Sequence, residues 1–157
     1  MRIHLLAVGT RMPAWVEAGY AEYAKRLPPD LKLTLKEIPL LRRGGTAQLQ
    51  RELAQEGAHL QAAIPAGCHV VSLEVEGELW STAELARQLQ RWLSDGRDIC
   101  LLIGGPDGLP TAIRNLARQR WSLSALTFPH ALVRVLVAEQ LYRAWSLLRG
   151  HPYHREA

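Results

Sequence analysis

Ile99-Cys100-Leu101-Leu102-Ile103 is an unbroken apolar run that stops at Gly104-Gly105. The run is short for a buried helix and suits a strand covered on both faces. Such a strand belongs inside a parallel sheet with helices above and below it, and the rest of the chain supplies the pieces that sheet requires. Residues 3–8 predict a first strand, closed by Gly9-Thr10. Pro13 opens a helix to about Arg26, and Pro28-Pro29-Asp30 stops it. Leu31, Leu33 and Leu35 alternate with Lys32, Thr34 and Lys36, the period of a half-exposed strand.

After the basic loop Arg42-Arg43-Gly44-Gly45, Thr46 is expected to cap a second helix through Ala63. His69–Leu73 reads as a third strand and Glu76-Gly77 as a turn. Ser81-Thr82-Ala83-Glu84 is a capping box that opens a helix to about Ser94, ended by Asp95-Gly96. Beyond the 99–103 strand come a sharp glycine loop, a short helix over about 110–118, an alternating strand over 121–126, and a long helix over 131–148 ended by Gly150 and Pro152. The resulting β-α-β-α-β-α-β-α-β-α order predicts an α/β fold, a mainly parallel sheet with helices on both faces. No repeat or linker interrupts it, so residues 1–157 form one domain. Ligands of such sheets bind beyond the carboxyl ends of the strands. That points to the loops after Leu73, Ile103 and Leu126.

No segment reaches the ~18 apolar residues of a membrane helix. The apolar N-terminus lacks a cleavage site and reads as a buried strand, so a cytoplasmic location is the expectation. Cys68 and Cys100 each adjoin an apolar run and match no metal or redox spacing; buried reduced thiols are expected. Charge is unevenly placed. Residues 1–108 hold 12 basic and 13 acidic side chains, whereas residues 109–157 hold seven arginines against Glu139 and Glu156. This last third predicts a polyanionic partner, because the arginine fork suits phosphate and base edges.

Gly104-Gly105-Pro106-Asp107-Gly108 follows a strand, so nucleotide chemistry has to be tested. It is no P-loop, because no Gly-Lys-Ser/Thr follows. It is no dinucleotide fingerprint either: the spacing is wrong, and no acid lies between Asp107 and Glu139 to take a ribose hydroxyl. Adjacent glycines leave bare backbone that a flat ring can approach. Residues 123–130 mix small, apolar and hydroxyl side chains before a turn at Pro129, which suits the uncharged part of a ligand. The long helix is apolar around most of its circumference, which predicts a homodimer interface. His151, Tyr153, His154 and Arg155 crowd the tail, a set able to bind phosphate, stack on a base or move a proton.

Several ordered segments carry a resemblance: Val8–Pro13, Leu102–Gly108, Trp121–Ser124, Pro129–Arg134, Glu139–Ala144 and His151–Glu156. With them the chain resembles, end to end, the SPOUT superfamily of RNA methyltransferases. The resemblance implies a C-terminal trefoil knot, a homodimer, and S-adenosylmethionine as methyl donor without a metal. It implies methylation of N3 of a pseudouridine in helix 69 of 23S rRNA on the assembled ribosome. The donor site it implies comprises Leu73, Gly104, Leu123, Ser124, Ala125, Leu126, Thr127 and Phe128. Asp107 stands where the family often has Glu, and Phe128 where Leu is common.

Methylating an imide nitrogen calls for alignment, removal of its proton and stabilisation of the resulting anion. The tail supplies the expected catalytic residues, with His154 as base, Arg155 as anion contact and Tyr153 orienting the target, acting in the partner subunit's pocket. Glu139, Arg143 and His130 come second. A ribosome-binding factor without catalysis and a small-molecule enzyme are the rival classes, separated by donor binding and by labelled methyl transfer.

Overall fold

The computed structural model describes residues 1–41 and 45–155. Arg42-Arg43-Gly44 of the basic loop and Glu156 of the tail lie outside the described residues. Five strands, β1 (Arg2–Val8), β2 (Lys32–Ile38), β3 (His69–Leu79), β4 (Ile99–Ile103) and β5 (Gln119–Ser122), form one sheet in the order β2-β1-β4-β3-β5. Every pairing is parallel, with Leu5 beside Leu101 and Val71 beside Leu101 in register. The helices are α1 (Ala14–Ala24), α2 (Thr46–Ala63), α3 (Thr82–Asp95), α4 (Thr111–Arg114) and α5 (His130–Arg149).

The period-2 pattern sorts side chains to two cores. Ile3, Leu5, Ala7, Val71, Leu101 and Ile103 point to the layer of α1, α3 and α5. Leu6, Val8, Ile38, Cys100 and Leu102 point to the opposite layer, where Leu60 of α2 and Ile113 of α4 meet them. All five residues of β4 are buried, as a strand covered on both faces must be. Burial pushes the Cys100 thiol up to about 12, so this cysteine is a packing residue. Among the described residues no helix is long and apolar enough to cross a membrane.

Ser81 caps α3 by accepting the Glu84 backbone N–H, and Gly96 ends it in the left-handed region at φ 80°. Other boundaries differ from expectation. Gly45 occupies the N-cap of α2 and Thr46 is its first helical residue. Glu76-Gly77 is no turn, because β3 runs on to Leu79. Its register against β5 jumps from Leu73 opposite Trp121 to Glu78 opposite the same residue, so residues 74–77 bulge. Gly77 permits this: a Cβ there would sit 2.8 Å from the Arg120 and Trp121 backbone. The alternation over 121–126 does not make a strand of that length. Ser122 Oγ donates to the Ser124 carbonyl and Leu126 N–H donates to Ser124 Oγ, so serine side chains draw the backbone out of the ladder. α4 is also shorter than expected.

The apolar girth of α5 is covered in part by the sheet, α1, α3 and the tail. Leu132, Val133, Val135, Leu136, Trp145 and Leu148 stay partly exposed and Leu147 is 39% exposed. The tail is not frayed. Pro152–Arg155 forms a 3-10 turn, and the Tyr153 ring packs 4.6 Å from that of Tyr142.

Two glycine substitutions test this packing. Gly77→Ala is expected to lower stability by about 1–3 kcal/mol through forced backbone shifts. Gly57→Ala, in mid-α2 with ordinary 3.5 Å contacts to Ile113 and Pro110, is expected to raise it, by about 0.5–1 kcal/mol from the helix preference of alanine. Urea melts measure both.

Candidate active site

The carboxyl ends of β3, β4 and β5 open into a cleft of about 750 Å³. That volume falls in the range of small-molecule sites, roughly 300–1,000 Å³. Of the residues expected to hold the donor, Leu73, Gly104, Leu123, Ser124, Leu126, Thr127 and Phe128 line it. Ala125, exposed in the same loop, does not. Three loops distant in sequence thus converge as the strand-end argument required.

The glycines are also required by the packing of the loop itself. A Cβ on Gly104 would lie 2.6 Å from the Gly108 backbone, and one on Gly105 would lie 3.1 Å from Val8. Gly108 N–H donates to the Gly105 carbonyl and closes the loop on itself. Side chains are excluded here by the loop's own packing, and the bare wall facing the cleft is the consequence.

Glu74, at the start of the β3 bulge, escaped the sequence analysis. Its side chain is only 6% exposed, yet it meets three elements. Ser72 Oγ donates to it at 2.5 Å, and Arg120 of β5 donates through Nε at 2.8 Å and Nη2 at 3.0 Å. Arg114 of α4 forms an ion pair with it at 2.5 Å. Burial pushes the carboxyl upward, but the Arg120 and Ser72 hydrogen bonds and the two cations outweigh it and hold it below its ordinary value. No local motif marks this residue, because its partners come together only through the sheet order.

The N-terminus of α5 forms the far rim. His130 lines the cleft; its Nδ1 is buried without a partner among the described residues, and burial beside Arg134 lowers its pKa. Arg134, one turn on, is 1% exposed. It donates to Glu37 Oε2 at 2.7 Å and to the Gly9 carbonyl at 2.8 Å.

This removes Arg134 from the basic face that the sequence predicted for a polyanion. Arg114 and Arg120 are paired with Glu74, Arg143 with Glu139, and Arg149 reaches Asp30 at 4.0 Å. Arg118 and Arg155 remain exposed with no ion pair among the described residues.

The expected catalytic tail follows the C-terminal end of α5 and folds back along that helix. Tyr153 donates to Glu139 Oε1 at 3.1 Å, and Arg143 sits over its ring. Burial, then the Glu139 charge, push its phenol far above the ordinary value. His154 Nδ1 is buried without a partner among the described residues, and Arg155 is exposed. None of the tail residues 151–155 lines the cleft.

A family model described as "Predicted SPOUT methyltransferase" matches residues 1–154. The chain belongs to the SPOUT methyltransferase family. It is 62% identical to ribosomal RNA large subunit methyltransferase H of Thioalkalivibrio sulfidiphilus (strain HL-EbGR7), over 99% of this chain and 100% of that one. It is 58% identical to the protein of the same name in Hahella chejuensis (strain KCTC 2396), again over 99% and 100%. Among solved structures, a probable methyltransferase from Bordetella pertussis Tohama I shares the fold at TM-score 0.57 and 17% identity, covering 91% of this chain and 95% of that one. For a SPOUT methyltransferase the cleft chemistry is apt. Its charged lining is Glu74, Glu76, Asp107 and Arg114, three carboxylates against one guanidinium, an acidic balance that favours a cationic ligand such as a sulfonium.

Two measurements test this electrostatic frame. Arg134→Leu leaves Glu37 and the Gly9 carbonyl without their partner and is expected to cost about 3 kcal/mol in urea melts. For Glu74 the folded pKa is depressed from 4.5. Its stabilisation is therefore complete above the unfolded value and is lost as pH falls through the folded one. Glu74→Gln is expected to show a shallower loss of stability with acid below about pH 4.5 than the parent protein.

Proposed function

We propose that this SPOUT methyltransferase uses S-adenosylmethionine to methylate ribosomal RNA, at N3 of a pseudouridine in helix 69 of 23S rRNA, acting on the assembled ribosome as a cytoplasmic homodimer. The observation that carries the reading is the end-to-end 62% identity with a ribosomal RNA large subunit methyltransferase. The cleft supports it in size and acidic balance. The path from β4 to β5, which crosses β3, suits the trefoil knot that belongs to the same reading.

In this reading Leu73, Gly104 and the 123–128 segment hold the donor, with Ala125 as part of the loop. When bound, the donor supplies an electrophilic methyl on a sulfonium. The protein must align the target nitrogen, take its proton and stabilise the charge left behind. His154 takes the proton. Arg155 stabilises the anion spread over the flanking carbonyl oxygens or contacts a phosphate. Tyr153, engaged by Glu139 and packed on Tyr142, fixes the turn from which His154 and Arg155 project. None of the tail residues 151–155 lines the cleft of its own chain; in this reading the tail serves a second subunit's cleft, which supports a dimer.

Labelled methyl transfer to ribosomes, compared with free rRNA, tests the proposal. Transfer to ribosomes is expected, with little to free rRNA. His154→Ala is expected to lower turnover by about 100-fold or more while donor binding persists. No transfer to either substrate, or full activity in His154→Ala, would remove the assignment. A ribosome-binding factor without catalysis would bind ribosomes and leave them unlabelled.

A further inference from the structure

Arg114 stands out in the cleft. Among the described residues lining it, this is the one permanently cationic side chain, and the acidic balance of the site makes a cation there unexpected. Its guanidinium approaches Glu74 Oε1 through Nε at 2.5 Å, and its side chain stays 35% exposed. Glu74 has little capacity left. Its two oxygens take the Ser72 hydroxyl and both Arg120 donors as well as the Arg114 charge, against about four acceptor sites on a carboxylate. Arg114 is in the opposite state. A guanidinium has five N–H donors in a rigid fork, and no hydrogen bond from its terminal nitrogens to a protein acceptor is present among the described residues.

Arg120 provides the internal contrast. It grips Glu74 with two hydrogen bonds and does not line the cleft. Arg114 meets the same carboxylate and does line it. Glu74 therefore holds one arginine outside the cleft, 44% exposed, and the other on the cleft wall.

An acidic cleft with a single anchored guanidinium is complementary to a ligand that is cationic overall but carries one carboxylate. We propose that Arg114 receives the α-carboxylate of the methionine end of the donor through its free fork, and that Glu74 is the positioning residue that aims it. The inference rests on the donor reading above. A planar fork facing a carboxylate makes two parallel charge-assisted hydrogen bonds, which fix orientation as well as adding affinity. Orientation matters here because transfer depends on an in-line approach to the methyl.

Calorimetry with two nucleosides tests the assignment: S-adenosylhomocysteine, which has the carboxylate, and 5′-methylthioadenosine, which lacks the whole amino-acid end. The parent protein is expected to bind both, the first more tightly. Arg114→Gln is expected to weaken S-adenosylhomocysteine by about tenfold or more and to leave 5′-methylthioadenosine unchanged. The second result also shows that the variant is folded. Arg120→Gln, which touches Glu74 from the far side, is expected to produce no selective loss. Unchanged affinity in Arg114→Gln, a proportional loss for both nucleosides, or the same selective loss in Arg120→Gln would overturn the assignment. If the parent protein binds neither nucleoside, nor S-adenosylmethionine itself, the donor reading falls first and takes this assignment with it.

Discussion

The arrangement of the site depends on one sealed guanidinium. Arg134 stands on the second turn of α5, is 1% exposed, and ties that helix to Glu37 at the end of β2 and to the Gly9 carbonyl just beyond β1. A buried charge of this kind is tolerated only when paired and hydrogen-bonded, so its partners dictate where the helix can start. The start of α5 then places Pro129 and His130 on the cleft rim, and the 123–128 segment is strung between β5 and that fixed point. Burial, and then the same charge, lower the pKa of the neighbouring His130 imidazole. One ion pair thereby shapes the rim.

The opposite wall follows the same logic. Glu74 collects Arg114, Arg120 and Ser72 from three elements and pins the β3 bulge over the cleft. The glycine loop needs no such clamp, since Gly104 and Gly105 close it by excluding side chains. Charged clamps on two sides and a tightly folded backbone loop on the third give a cleft whose lining is largely apolar and whose charges are few and fixed. The tail is ordered by its own cluster, in which Tyr153, Tyr142, Arg143 and Glu139 hold one another.

Sheet class, helix layers and the location of the cleft were legible in the sequence wherever the signal was local. The unbroken run at 99–103, the Ser81 capping box and the Gly96 and Gly150 stops all came through, as did the three loops lining the cleft. The misreadings arose where distant contacts decided. Gly77 looks like a turn until the Arg120 backbone is seen pressed against it. Residues 123–126 alternate like a strand, but serine side chains capture their backbone. Seven arginines in the last third look like one basic face, whereas five of them answer to carboxylates within the chain. Glu74 carried no signal at all, because its partners lie 40 and 46 positions away and meet it only through strand order. Family resemblance pointed to the donor loops, but it could not show which charges stand among them.

The central claim is that this cleft, between the closed glycine loop and the 123–128 segment, is where a sulfonium nucleoside sits. A crystal structure of the protein grown with S-adenosylmethionine tests that most directly. Density for one nucleoside is expected in the cleft, with its adenine against the glycine loop and the 123–128 backbone. Full occupancy at any other place on the molecule, with this cleft filled by water alone, would contradict the account.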